Sequence, residues 1–220
     1  MDQKLTCVLC DSQNLRQIEL LDKKNSQVYF QCEQCDLIFL APRFRLSADN
    51  EKKRYELHEN DVLEQGYQDF VSELYVAVTD LVQTSAKGLD YGSGKSSAIS
   101  FLLLTDGFNI KSFDPFFNVD DGDLVPDRFD YIVVCEVAEH FYNPRLEFKK
   151  LRSYLKPSGH LFILTSLKTD PIDFKAWSYR RDPTHVCFYS EKTFQWICEH
   201  LGFSLFKLQQ PNLIVLQKKD

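Results

Sequence analysis

GLDYGSGKSSAISFL (residues 88–102) decides the fold. Its centre, GSGKS, has the outline of a nucleotide-phosphate loop, but the spacing rules that loop out. A phosphate loop needs two glycines five positions apart ahead of Lys-Ser/Thr. Five positions before Gly94 stands Leu89, and Gly88 lies one residue too early, ahead of the apolar segment rather than after it. The other reading is a short strand ending at the acid Asp90, a G-x-G bend at Gly92 and Gly94, and then a helix. The glycines let backbone pass close to a ligand, and the helix start offers free amides.

Outward from this stretch the pattern alternates. KSSAISFLLLTDGF predicts a helix with Ile99, Leu102 and Leu103 on one face and a stop at Gly107. NIKSFD predicts a strand ending at Asp114. FDYIVVCEV is a β-branched run for a strand buried on both faces. PRLEFKKLRSYLKPSGH predicts a helix ended by Pro157 and Gly159, and LFILTS the next strand. SEKTFQWICEHLGF predicts a helix capped by Ser190 and stopped at Gly202. FSLFKLQQPNLIVLQKK predicts a closing hairpin around Pro211 and Asn212. Strands alternating with helices imply a parallel sheet covered on both faces, with ligands beyond the carboxyl ends of its strands.

Upstream, GYQDFVSELYVAVTDLVQTS predicts a helix with Phe70, Leu74, Val78, Leu81 and Val82 as its apolar face. SADNEKKRYELHENDV predicts another, with Ser47 as cap signal and His58 as a solvated histidine. This bridge is expected to pack on the main domain and close over its pocket. At the N-terminus, Cys7-x-x-Cys10 and Cys32-x-x-Cys35 form two knuckles around strand-like patches and a polar DKKNSQ turn. Two such pairs supply four thiolates to one tetrahedral ion, the pattern of a zinc ribbon. A segment of that size needs a staple, and the metal supplies it. Four thiolates leave no position for water, so the expected role is structural. The alternatives are a redox pair or plain buried cysteines.

The composition sets further bounds. Net charge is −6, and residues 1–42 carry four cations against six acids, which disfavours a nucleic-acid grip on the ribbon. No run of 18 apolar residues suggests a membrane span and no secretory leader is visible, so a cytoplasmic protein is expected. Of the seven cysteines, Cys187 and Cys198 read as buried thiols.

The ends of the strands indicate the ligand. Asp114 follows Asp90 at the next strand tip and suits the two hydroxyls of a ribose. A nicotinamide dinucleotide would use that too, but Asp90 is awkward for a pyrophosphate. An acid beside the loop favours a ligand with an ammonium group. S-adenosylmethionine (SAM) combines ammonium, carboxylate, ribose and adenine. LDYGSGKSS, SFDPFF, FDYIVVCEVAEHF and LKPSGHLFILTS resemble motifs of the class I SAM-dependent methyltransferases. The resemblance covers residues 87–220. The four-cysteine ribbon, GYQDFVSEL and YRRDPTHVCFYSEKTF are similar to one bacterial subgroup of that class. It implies an α/β, Rossmann-like class I methyltransferase sheet, with an N-terminal zinc ribbon (1–42), a helical bridge or lid (43–86) and a methyltransferase domain (87–220).

By the resemblance, Asp90 and Gly92 line the methionine end of the cofactor, Gly94 shapes the turn and Asp114 holds the ribose. Cys135 and Glu136 end the most buried strand, at the pocket mouth, where their backbone is expected to border the sulfonium. The sequence departs from the family pattern at Ser96, where a third glycine is usual. It departs again between Asp114 and Asp130, where the usual helix and third strand hardly fit. An abbreviated adenine pocket follows, with Phe116 or Phe117 packed on the ring and Asp121 or Asp123 near the amine. Glu136 and His140, four apart, are expected on one side of a helical turn. His140 and His185 are the candidate bases, and Arg180 or Arg181 the partner of an anionic acceptor. A histidine hydrogen-bonded at a helix start is the plain alternative for His140. The expected function is methyl transfer to a small-molecule acceptor. RNA or protein methylation with the ribbon as docking module, and a non-catalytic SAM-binding protein, are the alternatives. Acceptor and oligomeric state are not written in these residues.

Overall fold

The computed structural model describes residues 5–20, 26–57 and 61–220. Most of the DKKNSQ turn, and His58, lie outside the described residues. The chain begins with β1 (Leu15–Leu20), β2 (Gln27–Cys32) and β3 (Ile38–Leu40), an antiparallel meander. Helices α1 (Ala48–Glu56) and α2 (Gln65–Leu81) follow. Then come β4 (Lys87–Tyr91), α3 (Ala98–Thr105), β5 (Asn109–Phe113), β6 (Phe129–Cys135), α4 (Pro144–Tyr154) and β7 (Leu155–Leu164). Strand β8 (Cys187–Phe188), α5 (Glu191–His200), β9 (Phe203–Gln209) and β10 (Leu213–Lys218) complete the chain.

Six strands form the main sheet in the order β5-β4-β6-β7-β10-β9. The first four are parallel, and the closing hairpin adds two antiparallel strands. No named helix or strand intervenes between β5 and β6, so β5 forms the sheet edge. The chain runs from β4 outward to β5, then jumps to β6 on the other side of β4. That reversal opens a crevice at the carboxyl end of β4.

The strand period of two assigns alternate residues of β6 and β7 to opposite cores. Tyr131, Val133, Phe162 and Leu164 pack with Val71, Leu74 and Val78 of α2 and Ile99 and Leu103 of α3. Ile132, Val134, Leu161 and Ile163 face Phe148 and Leu151 of α4 and Phe194 and Ile197 of α5. This second core runs on without a break into Leu9, Leu37 and Phe39 around the four-cysteine knuckles. Strand β8 pairs with β3, Ile38 with Phe188 and Phe39 with Cys187, so a segment far along the chain completes the N-terminal sheet.

Two expectations shift. The apolar face of α2 centres on Val71, Leu74, Ala77 and Val78, whereas Phe70 is 47% and Leu81 37% exposed. Helix α4 ends at Tyr154, short of Pro157, and β7 starts at Leu155. Proline disfavours helical backbone in the residue before it, Lys156, and the fully buried Leu155 is already extended. At its other end, Asn143 Oδ1 accepts from Leu146 N at 3.1 Å ahead of Pro144. Asn143→Ala should therefore cost about 1 kcal/mol. Calorimetry should find a transition roughly 2–4 °C lower. Ser190 caps α5 as expected, and Thr193 makes the cap reciprocal.

Candidate active site

A cavity of about 810 Å³ lies at the crevice and is lined by Asp90, Gly92, Gly94, Asp114 and Phe116, by Cys135 and Glu136, and by His140 and His185. This volume suits a ligand of nucleoside size with a small partner. The local geometry follows from the glycine bend. Gly92 has φ +86°, and a Cβ there would stand 2.6 Å and 2.7 Å from the two methyls of Val137. Gly92 N and Ser93 N both donate to Phe113 O, which ties the bend to the end of β5.

Asp90 is 1% exposed, and Ser100 Oγ donates to its Oδ2 at 2.7 Å. Burial pushes its carboxyl up, against the pull of the Ser97 and Ser100 hydrogen bonds. Asp114 accepts from Gly94 N at 2.9 Å on one oxygen, and from Phe116 N at 2.8 Å and Phe117 N at 3.1 Å on the other. The two acids thus stand at neighbouring strand tips, with the bend between them. Lys95 Nζ lies 5.3 Å over the Phe117 ring. The lysine faces an aromatic ring, and the Gly94 amide faces a carboxylate, which is the opposite of a phosphate cradle.

Cys135 is a half-buried thiol, pushed well up by desolvation and then by the charge of Asp90. Glu136 stands in left-handed backbone, φ +51°, at the end of β6. Burial, and then the Glu139 carboxylate, push it up to about 9. Tyr179 OH donates to its Oε2 at 3.1 Å. The four-residue spacing predicts Glu136 beside His140. Instead Glu136 precedes the turn Ala138–His140, and Glu139 is the acid facing His140, with 3.8 Å between Oε1 and Nε2. Glu139 is fully buried and was missed; its only signal was the second acid of EVAEH. Burial lowers the pKa of His185 below the usual imidazole range.

Helix α1 contributes Glu51 and Tyr55 to the wall, and α2 contributes Tyr67 and Phe70. Tyr55 OH donates to Glu51 Oε1 at 2.8 Å. Arg180 and Arg181 do not line the cavity: Arg180 donates to the carbonyls of Phe174 and Lys175, and Arg181 is exposed. Asp121 and Asp123 are also outside it. Asp123 is held by Lys111 at 3.0 Å and Arg128 at 2.9 Å.

The N-terminal knuckles bring Cys7, Cys10, Cys32 and Cys35 together, all four sulfurs within 4.8 Å of one another. Cys7 and Cys35 sulfurs are 3.6 Å apart, and those of Cys10 and Cys32 3.4 Å. Sulfurs about 2.3 Å from one tetrahedral ion sit roughly 3.8 Å apart. Each knuckle closes the same way, with Asp11 N on Cys7 O and Asp36 N on Cys32 O, both aspartates at positive φ. Asp tolerates that conformation better than most residues.

A family model described as a methyltransferase domain matches residues 50–208. A search of curated proteins found no match. Among solved structures, the 1,6-didemethyltoxoflavin N1-methyltransferase of Burkholderia thailandensis superposes with TM-score 0.54 at 13% identity, covering 91% of this chain and 98% of its own. A SAM-dependent methyltransferase from Archaeoglobus fulgidus gives TM-score 0.52 at 17% identity, covering 69% of this chain and 94% of its own. A protein from Pyrococcus horikoshii gives TM-score 0.51 at 16% identity over 76% of this chain and 99% of its own. At these identities the likeness is one of fold. Among the described residues, no helix is long and apolar enough to cross a membrane.

Proposed function

Because the chain belongs to the methyltransferase-domain family, the class I SAM-dependent methyltransferases, we propose that it moves a methyl group from SAM to a small-molecule acceptor inside the cavity. The observation that carries this reading is the pair of buried acids, Asp90 and Asp114, flanking the glycine bend at the switch point of the sheet. Bound there, SAM supplies a methyl carbon on a positively charged sulfur, and that carbon–sulfur bond breaks as the acceptor's lone pair forms the new one.

The protein's work is then mostly positioning. Asp90 and Gly92 hold the methionine end, and the bend brings backbone against it. Asp114 keeps lone pairs free beyond its three amide donors and takes the ribose. Phe116, adjoining Tyr55, covers the base. The backbone of Cys135 and Glu136 borders the sulfonium. An acceptor that starts protonated gives its proton to a bare imidazole nitrogen of His140 or His185. Helices α1 and α2 exclude water over this side. With Arg180 and Arg181 off the wall, neither is placed to pair with an anionic acceptor. In the ribbon, Cys7, Cys10, Cys32 and Cys35 hold one structural Zn²⁺; the sulfur spacing supports this.

The test is calorimetric titration with SAM, for the wild-type chain and Asp114→Asn. The asparagine keeps the size but removes the charge and opposes one amide donor with another. SAM should bind to one site, with affinity falling at least about 10-fold in the variant. Equal affinity in both, or binding of ATP in place of SAM, would overturn the reading.

A further inference from the structure

The turn Ala138–His140 after β6 brings Glu139 and His140 to one point of the cavity wall. His185 is brought there from the far side, where Val186 N donates to Glu139 O at 2.8 Å. His140 Nδ1 lies 2.9 Å from Thr184 O, and His185 Nδ1 lies 2.7 Å from Tyr179 O. A carbonyl only accepts, so each Nδ1 carries the ring proton. In the neutral rings each Nε2 is then a bare lone pair. Both face Glu139 Oε1, at 3.8 Å and 3.9 Å, too long for hydrogen bonds.

Glu139 is fully buried. Its Oε2 takes the Thr165 hydroxyl at 2.9 Å, while Oε1 is shut from solvent without a hydrogen-bond partner. Three ligand atoms therefore converge within 4.8 Å of one another, and in neutral rings both nitrogens present lone pairs. A buried carboxylate oxygen without a partner is costly unless a cation meets it.

We propose that Glu139, His140 and His185 bind a divalent transition-metal ion, distinct from the ribbon zinc, at the acceptor end of the cavity. Two imidazole nitrogens and one carboxylate oxygen suit Zn²⁺, Mn²⁺ or Co²⁺ better than the all-oxygen ions. Ligands about 2.0–2.2 Å from an ion sit roughly 3–3.4 Å apart, so each imidazole nitrogen needs to approach Glu139 Oε1 by less than about 1 Å from its 3.8 Å or 3.9 Å. The two carbonyls already orient the rings, the arrangement by which metal-binding histidines are fixed. With the ion bound, His140 and His185 are ligands rather than bases; three protein ligands leave positions open for an acceptor hydroxyl, which then loses its proton to solvent more readily. That use of the ion rests on the methyltransferase reading, whereas binding of the ion does not.

The experiment uses the whole 220-residue chain with its ribbon zinc in place. Mn²⁺ is titrated and followed by electron paramagnetic resonance, for wild type, Glu139→Gln and His185→Gln, with SAM titrated into each protein in parallel. Expected are one Mn²⁺ per wild-type chain and a loss of affinity of at least about 10-fold in both variants. Unchanged SAM affinity in the variants shows that they fold. Should wild type take up no Mn²⁺, or both variants bind it as wild type does, the metal site is overturned while the SAM site stands. Mn²⁺ uptake by a chain that ignores SAM supports the metal site and removes the methyltransferase reading instead.

Discussion

Cys32→Ser protein should carry no zinc, and its N-terminal sheet should unfold well before the rest of the chain. Cys32 is fully buried and shares its ion site with Cys10, 3.4 Å away. Structural zinc contributes on the order of 10 kcal/mol to folding in isolated zinc peptides. Even a modest share of that, several kcal/mol, lowers the transition by roughly 10 °C or more in a chain of this size. The damage should spread along the path the tertiary structure defines. Strand β3 loses its neighbours, β8 loses β3, and the segment holding His185 loses its anchor two residues downstream. The SAM end of the cavity rests on β4 and β5 and should keep its affinity within a few-fold below the transition. Metal analysis, scanning calorimetry and limited proteolysis check this together. A zinc-free variant that melts with the wild type and resists protease over residues 5–41 would show that the ion holds nothing.

Gly92→Ala should abolish useful SAM binding. The substitution meets two obstacles at once. Its φ of +86° lies where side-chain-bearing residues rarely go, and the new methyl would meet Val137 Cγ atoms at 2.6 Å and 2.7 Å. Backbone strain of about 1–3 kcal/mol adds to overpacking of about 1–3 kcal/mol. The bend relieves both by moving away from β6, which breaks its hydrogen bonds to Phe113 O and displaces Gly94 from Asp114. A loss of SAM affinity of about 100-fold or more follows from roughly 3 kcal/mol. Adding Val137→Ala removes the clash but not the strain, so the double variant should recover part of the stability and part of the affinity. If Gly92→Ala binds SAM as the wild type does, the ligand does not rest on this bend.

The parts legible in the chain were those fixed by neighbours in sequence. Two C-x-x-C knuckles, the G-x-G bend after Asp90, the Ser190 cap and the alternation of apolar runs each lie within a few residues. Their physics is local: turn geometry, capping and burial period. The short span between Asp114 and Asp130 left no room for the usual helix and third strand, and no named helix or strand stands there. The shift in the α2 face is a softer case. Phe70 and Leu81 fit the helical period, but Val71, Leu74, Ala77 and Val78 form the buried face that meets α3 and the sheet, because a helix buries the stripe its neighbours leave room for.

The amino-acid order by itself determined an α/β sheet, a strand-tip acid pair and a four-sulfur cluster. Tertiary structure alone decided that β8 would complete the ribbon's sheet, that Arg180 and Arg181 would turn away from the cavity, and that Glu139 would be buried against two imidazoles from separate loops. Hydrogen bonding and capping act over a few residues, so sequence displays them. Which distant lone pairs converge, and which of them water cannot reach, depends on how whole layers close over one another.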